Sequence, residues 1–283
     1  MTETFMKILI IGAKGMLGQE LVKAFQKGNE VLAWDTDEVD ITRIKNCELR
    51  IKEEGIELII NSAAYNNVDG SEMEFELANQ VNGYAVGDLA AICKDMNIPL
   101  VHYSTEYVFD GTKQDGYAEG DIPNPVSKYG ESKYLGEQEL QKNGGKYYLI
   151  RLSRMFGKAS AGGKKSFVEL MLELARTKKE IEVVDEELSC PTFAPDLAKL
   201  TRYIIDKGLP YGIYHGANSG ACTWFGFAGA IFKIAKLNVK LIPVAGEKFK
   251  RPAKRPRYGI LLNTKLPAQR RWEESLREFV HSY

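Results

Sequence analysis

A short apolar run, Met6–Ile11 (MKILII), opens directly onto the string GAKGMLG, and that string opens onto an amphipathic stretch, GQELVKAFQKG. Gly12, Gly15 and Gly18 stand three apart at the junction. A buried strand that turns through spaced glycines into a helix leaves few architectures open. Glycine lets a backbone turn sharply, approach a pyrophosphate and pack a helix closely on a sheet. The N-terminus of the helix then presents free N–H groups to a phosphate. The loop is therefore a candidate dinucleotide cradle.

The same rhythm continues. Strand patterns recur at Glu30–Trp34, Glu57–Asn61, Pro99–Ser104 and Lys146–Leu152, separated by helical patterns over 41–55, about 71–96 and 127–142. Nearly all-apolar strands are buried on both faces. Strands separated by helices imply right-handed crossovers and a Rossmann-type, doubly wound parallel α/β sheet. After Arg151 the pattern changes. The Gly/Lys-rich loop GKASAGGKKS, the helical FVELMLELARTKK, a strand pattern IEVVD, a helical run 196–206, a strand GIYHGA and two further helices suggest a smaller C-terminal α/β lobe. We expect a dinucleotide-binding domain over 1–152 with a return segment near 193–214, and a mainly substrate-binding lobe over 153–283.

Composition narrows the partners. Lys plus Arg and Asp plus Glu balance at 38 each over 283 residues, which argues against a general nucleic-acid binder. A 44% hydrophobic content supports a sizeable core. Four dispersed cysteines and three histidines argue against a disulfide framework or a zinc site. No signal-peptide pattern opens the chain, and no apolar stretch approaches the roughly 20 residues needed to span a bilayer. The expectation is a cytoplasmic protein with no membrane contact and no metal, monomeric or homodimeric.

An acid is required about 20 residues after the glycine loop to meet ribose hydroxyls. Asp35 stands there, although an ordinary turn aspartate is the alternative. Asp35 favours NADH, whereas Lys14 would attract the extra phosphate of NADPH; both cofactors stay open. In SKYGESKYLGEQEL, Tyr129 and Lys133 lie four apart and share one helix face, with Ser127 as N-cap. Thr105 follows the fourth strand, at the carboxyl edge where such sheets bind ligands. Ketone reduction needs a hydride on carbon and a proton on oxygen. A phenol gives that proton, a nearby ammonium lowers the phenol's pKa, and a hydroxyl orients the carbonyl.

GAKGMLG, NSAAYNNVD, STEYVFDG, the Tyr129/Lys133 pair and RPAKRP, in that order, make the whole chain resemble the dTDP-4-dehydrorhamnose reductase family, a group of extended short-chain dehydrogenase/reductases. The resemblance implies reduction of a nucleotide-linked 4-keto-6-deoxy sugar by NADPH or NADH. It makes Thr105, Tyr129 and Lys133 catalytic. It places Gly12, Gly15, Met16, Leu17, Gly18, Asp35, Asp40, Ile41, Ala63, Ala64, Tyr65 and Asn82 on the dinucleotide, along with Tyr129 and Lys133. On the substrate side it points to Asp69, Thr105, Glu106, Phe109, Arg154, Arg251 and Arg255. Asp69 has the alternative of a helix N-cap, and Phe109 that of a core residue.

Departures from the family pattern gather on that substrate side. Glu106 stands for Asp, Arg154 for Trp, Glu187 for Gln, Ser189 for Gly and Ser166 for Asn. They bear on the identity of the sugar and spare the hydride machinery. Within ten residues, Lys248, Lys250, Arg251, Lys254, Arg255 and Arg257 form a basic loop suited to the diphosphate of a sugar nucleotide. Two other functions remain in view: an epimerase on the same scaffold, and a non-catalytic binding subunit like the regulatory subunit of methionine adenosyltransferase. A dehydratase would carry T-D-E where this chain reads Thr105–Glu106–Tyr107.

Overall fold

The computed structural model describes residues 5–160 and 163–283. The first part alternates as expected. β1 (Lys7–Ile11), α1 (Met16–Phe25), β2 (Glu30–Trp34), α2 (Glu48–Glu53) and β3 (Leu58–Asn61) lead to α3 (Phe75–Asn79) and α4 (Ala85–Asp95). β4 (Leu100–Thr105), α5 (Lys128–Asn143) and β5 (Tyr147–Leu152) follow. Next come β6 (Met155–Phe156), α6 (Phe167–Thr177), β7 (Glu180–Val184), β8 (Leu188–Ser189), β9 (Thr192–Phe193), α7 (Ala194–Asp206) and β10 (Gly212–His215). α8 (Trp224–Ala235), β11 (Lys240–Val244), β12 (Tyr258–Gly259) and α9 (Trp272–Ser282) complete the order.

Six strands form one parallel sheet in the order β10-β5-β4-β3-β1-β2. Strand alternation sends Ile8 and Ile10 into a core with Leu17, Leu21 and Phe25 of α1 and Leu197 and Ile204 of α7. Leu9 and Ile11 meet Leu89 and Ile92 of α4 and Leu140 of α5 on the other face. The chain crosses from one side of β1 to the other on passing from β2 to β3, so a crevice opens outside the carboxyl ends of β1 and β3. A smaller α/β lobe has its own core, built around Phe156, Val168, Phe193, Phe227, Ile231 and Phe279.

The structure corrects the reading at several places. β2 is an edge strand with Glu30 and Ala33 exposed, so it is not buried on both faces. The helical pattern over 41–55 is a 3₁₀ segment with a kink at Arg43, followed by the short α2. The long pattern over 71–96 contains a π turn at Gln80–Tyr84 between α3 and α4. β11 was hidden by Pro243, which argues against a strand interior but is tolerated in the two-stranded ladder with β7. Ser166 caps α6 through a full capping box with Glu169. Two residues of the Gly/Lys-rich loop, 161 and 162, lie outside the described residues.

One buried ion pair seats α5 on the sheet. Arg151 of β5 donates from Nε and Nη2 to the two carboxylate oxygens of Glu137, at 2.9 and 2.6 Å. Both residues are at most 1% exposed. Breaking one side of such a pair leaves a buried charge unmatched, whereas replacing both with apolar groups removes the mismatch. Arg151→Met alone is therefore expected to cost about 3–5 kcal/mol, and adding Glu137→Leu should restore most of that loss. Urea unfolding of the two single variants and the double variant measures it; a double variant as unstable as the sum of the singles contradicts the account.

Candidate active site

The glycine loop runs from β1 into α1. Gly12 has φ +78°, and a Cβ there would fall 2.6 Å from the Ala63 nitrogen. A Cβ on Gly18 would fall 2.0 Å from the Gly12 oxygen. These two glycines are demanded by the fold, because strand, loop and helix touch backbone to backbone. Gly15 differs. It is exposed, and a Cβ there would meet nothing nearer than the Gly12 oxygen at 3.2 Å. No side chain caps α1, so its first N–H groups, at Met16, Leu17 and Gly18, have no side-chain acceptor. An anion cradle requires such donors, and the loop fits a dinucleotide pyrophosphate on that ground.

The surrounding residues are brought to the same crevice. Asp35 at the end of β2 accepts from Lys14 N–H at 2.7 Å and Thr36 N–H at 2.9 Å, which ties it to the glycine loop. Lys14 pairs through its ammonium with Asp37. Asp40 caps the 3₁₀ segment by accepting from both Thr42 N–H and Thr42 Oγ1, and Thr42 holds its carboxyl below the usual range. Ala63, Ala64 and Tyr65 follow β3 and are half-buried. The Leu17 and Ile41 side chains are core. Asn82, expected on the dinucleotide, is 1% exposed and its amide is spent: Oδ1 accepts from Tyr65 N–H, and Nδ2 donates to Tyr65 O and Ser132 Oγ. It clamps the loop after β3 to α5.

Thr105 ends β4 and caps the next turn, accepting from Tyr107 N–H at 3.2 Å. Tyr129 and Lys133 lie on the buried face of α5, which Ser127 caps by accepting from Gly130 N–H. Thr105, Tyr129 and Lys133 are 6, 8 and 3% exposed. Lys133 is not among the groups that shift the Tyr129 phenol, so the expected lowering is not seen. Burial pushes the phenol up, the charge of Glu106 adds to the rise, and the Thr105 hydroxyl opposes it. Burial likewise pushes Lys133 down to about 8, against the pull of Glu137. Its ammonium donates to Tyr103 O at 2.7 Å.

On the substrate side, Glu106, Tyr107, Arg154, Glu187, Trp224 and Gly259 line one cleft. Arg154 donates to the carbonyls of Cys222 and Glu187, and its guanidinium lies 4.1 Å over the Trp224 ring. Its φ of +38° is uncommon for a non-glycine residue. The basic loop is strapped to both parts of the chain: Arg255 pairs with Asp69 at 2.8 Å and Arg251 with Glu187 at 2.6 Å. Asp69 accepts from Ala253 N–H as well and makes no side-chain cap. Phe109 is a correction. It is fully buried, stacked on Tyr117 at 4.2 Å with the Arg151 guanidinium 5.0 Å away, so it belongs to the core rather than to a sugar wall. Sequence reasoning missed Ser153, which reaches Glu106, and the pair Arg151–Glu137. Glu137 was legible as the next position on the Tyr129–Lys133 face; Trp224, seventy residues from Arg154, gave no signal.

Among the described residues no cluster of three His, Cys, Asp or Glu side chains could hold a metal, and no helix is long and apolar enough to cross a membrane. His102 and His215 are buried, and desolvation pushes His215 down to about 4.

Two outcomes follow from the site's packing. Gly15→Ala should keep the thermal midpoint and weaken dinucleotide binding in calorimetry, while Gly18→Ala should cost about 1–3 kcal/mol or more through overpacking. Lys133 gives a pH signature. Its folded pKa lies below its unfolded one, so burial penalises the fold fully below pH 8, and the penalty fades as pH rises from about 8 toward the ordinary lysine value of 10.5. Lys133→Met should thus be the more stable protein at pH 7, with the gap closing toward pH 10. An equal midpoint at pH 7 would refute this.

The whole described architecture has counterparts. The RmlD substrate-binding-domain family model matches residues 6–283. A dTDP-4-dehydrorhamnose reductase of Burkholderia thailandensis is 35% identical over 277 residues, covering 92% of each chain. The crystal structure of dTDP-4-dehydrorhamnose reductase from Bacillus anthracis in complex with NADP superposes with a TM-score of 0.94 at 34% identity, covering 99% of this chain and all of that one. The UDP-glucose 4-epimerase of Thermus thermophilus, with NAD, reaches 0.82 at 20% identity over 98% of each chain, which is likeness of fold alone. On the match over residues 6–283 and the 35% identity across 92% of each chain, the chain belongs to the dTDP-4-dehydrorhamnose reductase family of extended short-chain dehydrogenase/reductases.

Proposed function

We propose that this protein reduces the keto group of a nucleotide-linked 4-keto-6-deoxy sugar with NADPH or NADH, and that dTDP-4-dehydrorhamnose, giving dTDP-L-rhamnose, is its substrate. The observation that carries the reading is the convergence of Thr105, Tyr129 and Lys133 beside an uncapped glycine-loop helix. A bound reduced nicotinamide supplies the hydride. Residues 1–152 with 193–214 serve as the dinucleotide-binding unit. Gly12, Gly15 and the N–H groups of Met16–Gly18 hold its pyrophosphate, and Asp35 its ribose. Thr105 holds the carbonyl oxygen and Tyr129 gives it a proton. A phenol whose pKa is raised remains acidic enough to protonate an alkoxide, which is a stronger base still. Lys133 orients the ribose and adds positive charge beside the phenolate as it forms.

Arg251 and Arg255 meet the substrate diphosphate. Each is already held by a carboxylate, Glu187 and Asp69, so the phosphates share guanidinium groups that are in place before they arrive. Such pre-positioning limits the ordering cost of binding. Arg154 and Glu106 face the sugar.

NAD(P)H oxidation measured against a panel of nucleotide-linked 4-keto sugars tests the reading. Tyr129→Phe should still bind the sugar nucleotide and lose about 100- to 10,000-fold in turnover. Arg255→Ala should mainly raise KM for the sugar nucleotide. Near-normal turnover in Tyr129→Phe would point to a binding subunit instead.

A further inference from the structure

The glycine loop carries a single cation, Lys14, and the loop after β2 decides what that cation meets. The two loops are knitted together through the backbone. Gly12 N–H and Ala13 N–H donate to Trp34 O at 2.9 and 3.1 Å. Lys14 N–H donates to Asp35 Oδ2 at 2.7 Å, and Thr36 N–H donates to Asp35 Oδ1 at 2.9 Å. Asp35 N–H in turn donates to Glu38 Oε2 at 2.8 Å. Asp35 is thus half-buried and fixed by amides on both carboxylate oxygens. The Lys14 ammonium is taken by Asp37, two residues further on.

The charges at this corner do not balance. Asp35, Asp37, Glu38 and Asp40 bring four carboxylates to one short loop. Among the described residues, the cations paired with this set are two: Lys14 on Asp37, and Arg43 at 3.7 Å from Asp40. Arg50 lies over the Trp34 ring at 4.2 Å, and its charge acts on Glu54. The Lys14 and Asp37 side chains are 60 and 70% exposed, so their pairing adds little to the stability of the fold. Its effect falls on whatever approaches the corner. A phosphate that left the pair intact would meet net negative charge. A phosphate that drew Lys14 to itself would leave Asp37 unpaired beside it. Both arrangements repel the phosphate.

A ribose hydroxyl and a ribose phosphate differ in a way this corner detects. A hydroxyl has a proton to donate, and each Asp35 oxygen, already accepting one N–H, keeps a further lone pair for it. A phosphate monoester at neutral pH is largely doubly ionised and has no proton to give. Asp35 cannot swing aside without orphaning the amides of Lys14 and Thr36. We propose that the Lys14–Asp37 pair, set against the fixed Asp35, selects the cofactor, so that the protein takes NADH in preference to NADPH. Lys14 by itself would attract the 2′-phosphate; Asp37 cancels that attraction and is the specificity-determining residue. The inference rests on the reading of the glycine loop as a dinucleotide cradle and names the dinucleotide it takes.

Calorimetric titration of the full chain with NADH and with NADPH tests this without turnover. NADH should bind about tenfold tighter or more, because a phosphate set against unpaired like charge is rejected. The advantage should shrink as salt is raised, since screening weakens repulsion at an exposed site. Asp37→Asn removes one carboxylate and releases Lys14, so the ratio of the NADPH to the NADH dissociation constant should fall by about fivefold. Adding Lys14→Met to that variant should return the ratio toward the wild-type value. Binding of NADPH by the wild type as tight as that of NADH, or a ratio unmoved in Asp37→Asn, overturns the inference and leaves the cradle standing. Binding of neither dinucleotide overturns the cradle itself, and the selection falls with it.

Discussion

Helix α5, which carries Tyr129 and Lys133, is held to the sheet by a buried ion pair. Glu137 lies one turn beyond Lys133 and two beyond Tyr129, on the same buried face of α5. Arg151 meets it as a two-pronged fork and is itself wedged between Phe109 and the carbonyl of Glu119. The arrangement balances three charges in a row: Arg151, Glu137 and Lys133. Without Glu137 the Lys133 ammonium would have no counter-charge below it, and burial would push its pKa lower still. The fork also explains why Phe109 cannot serve the substrate, since its ring supports Arg151.

Position along the helix is fixed by backbone proximity as well as charge. Asn82 sits in the π turn between α3 and α4, where the extra residue turns its amide toward both Tyr65 and Ser132. π turns of this kind are frequent at functional sites. Here the turn joins the loop after β3 to α5, the helix that carries Tyr129 and Lys133. A shift in either would be felt by the other, because the amide has no spare donor to give.

The strands and most helices were legible because burial on both faces, helical spacing and glycine turns are local properties. Tyr129 and Lys133 could be read from four-residue spacing, and Thr105 from its place after a strand. What stayed hidden was non-local. Nothing near Arg154 announces Trp224, and nothing near Glu106 announces Gly259. The kink at Arg43 and the π turn at 80–84 also escaped, because hydrophobic periodicity passes through both without a break. Asn82 was assigned to the dinucleotide by resemblance, and nothing in the sequence announced that its amide is bonded to Tyr65 and Ser132. Phe109 shows the same limit. An aromatic residue four positions past β4 reads equally well as wall or core, and only the partner rings decide.

The residues expected to depart from the family pattern are mutually dependent in the structure. Arg154 occupies a left-handed backbone position and covers Trp224, so its guanidinium replaces flat apolar surface with a planar donor. Glu187 connects to three groups at once: its backbone carbonyl takes Arg154, and its carboxylate takes Arg251 and Trp224 Nε1. Ser189 and Gly259 pair in a short ladder next to Glu106. Exchanging Arg154 alone for an aromatic residue would orphan two carbonyls and uncover Trp224, while exchanging Glu187 alone would remove the carboxylate partner of Arg251. These residues form one bonded unit, and Thr105, placed by β4, is joined to it through Glu106, whereas Tyr129 and Lys133 are held by α5 and the Arg151–Glu137 fork.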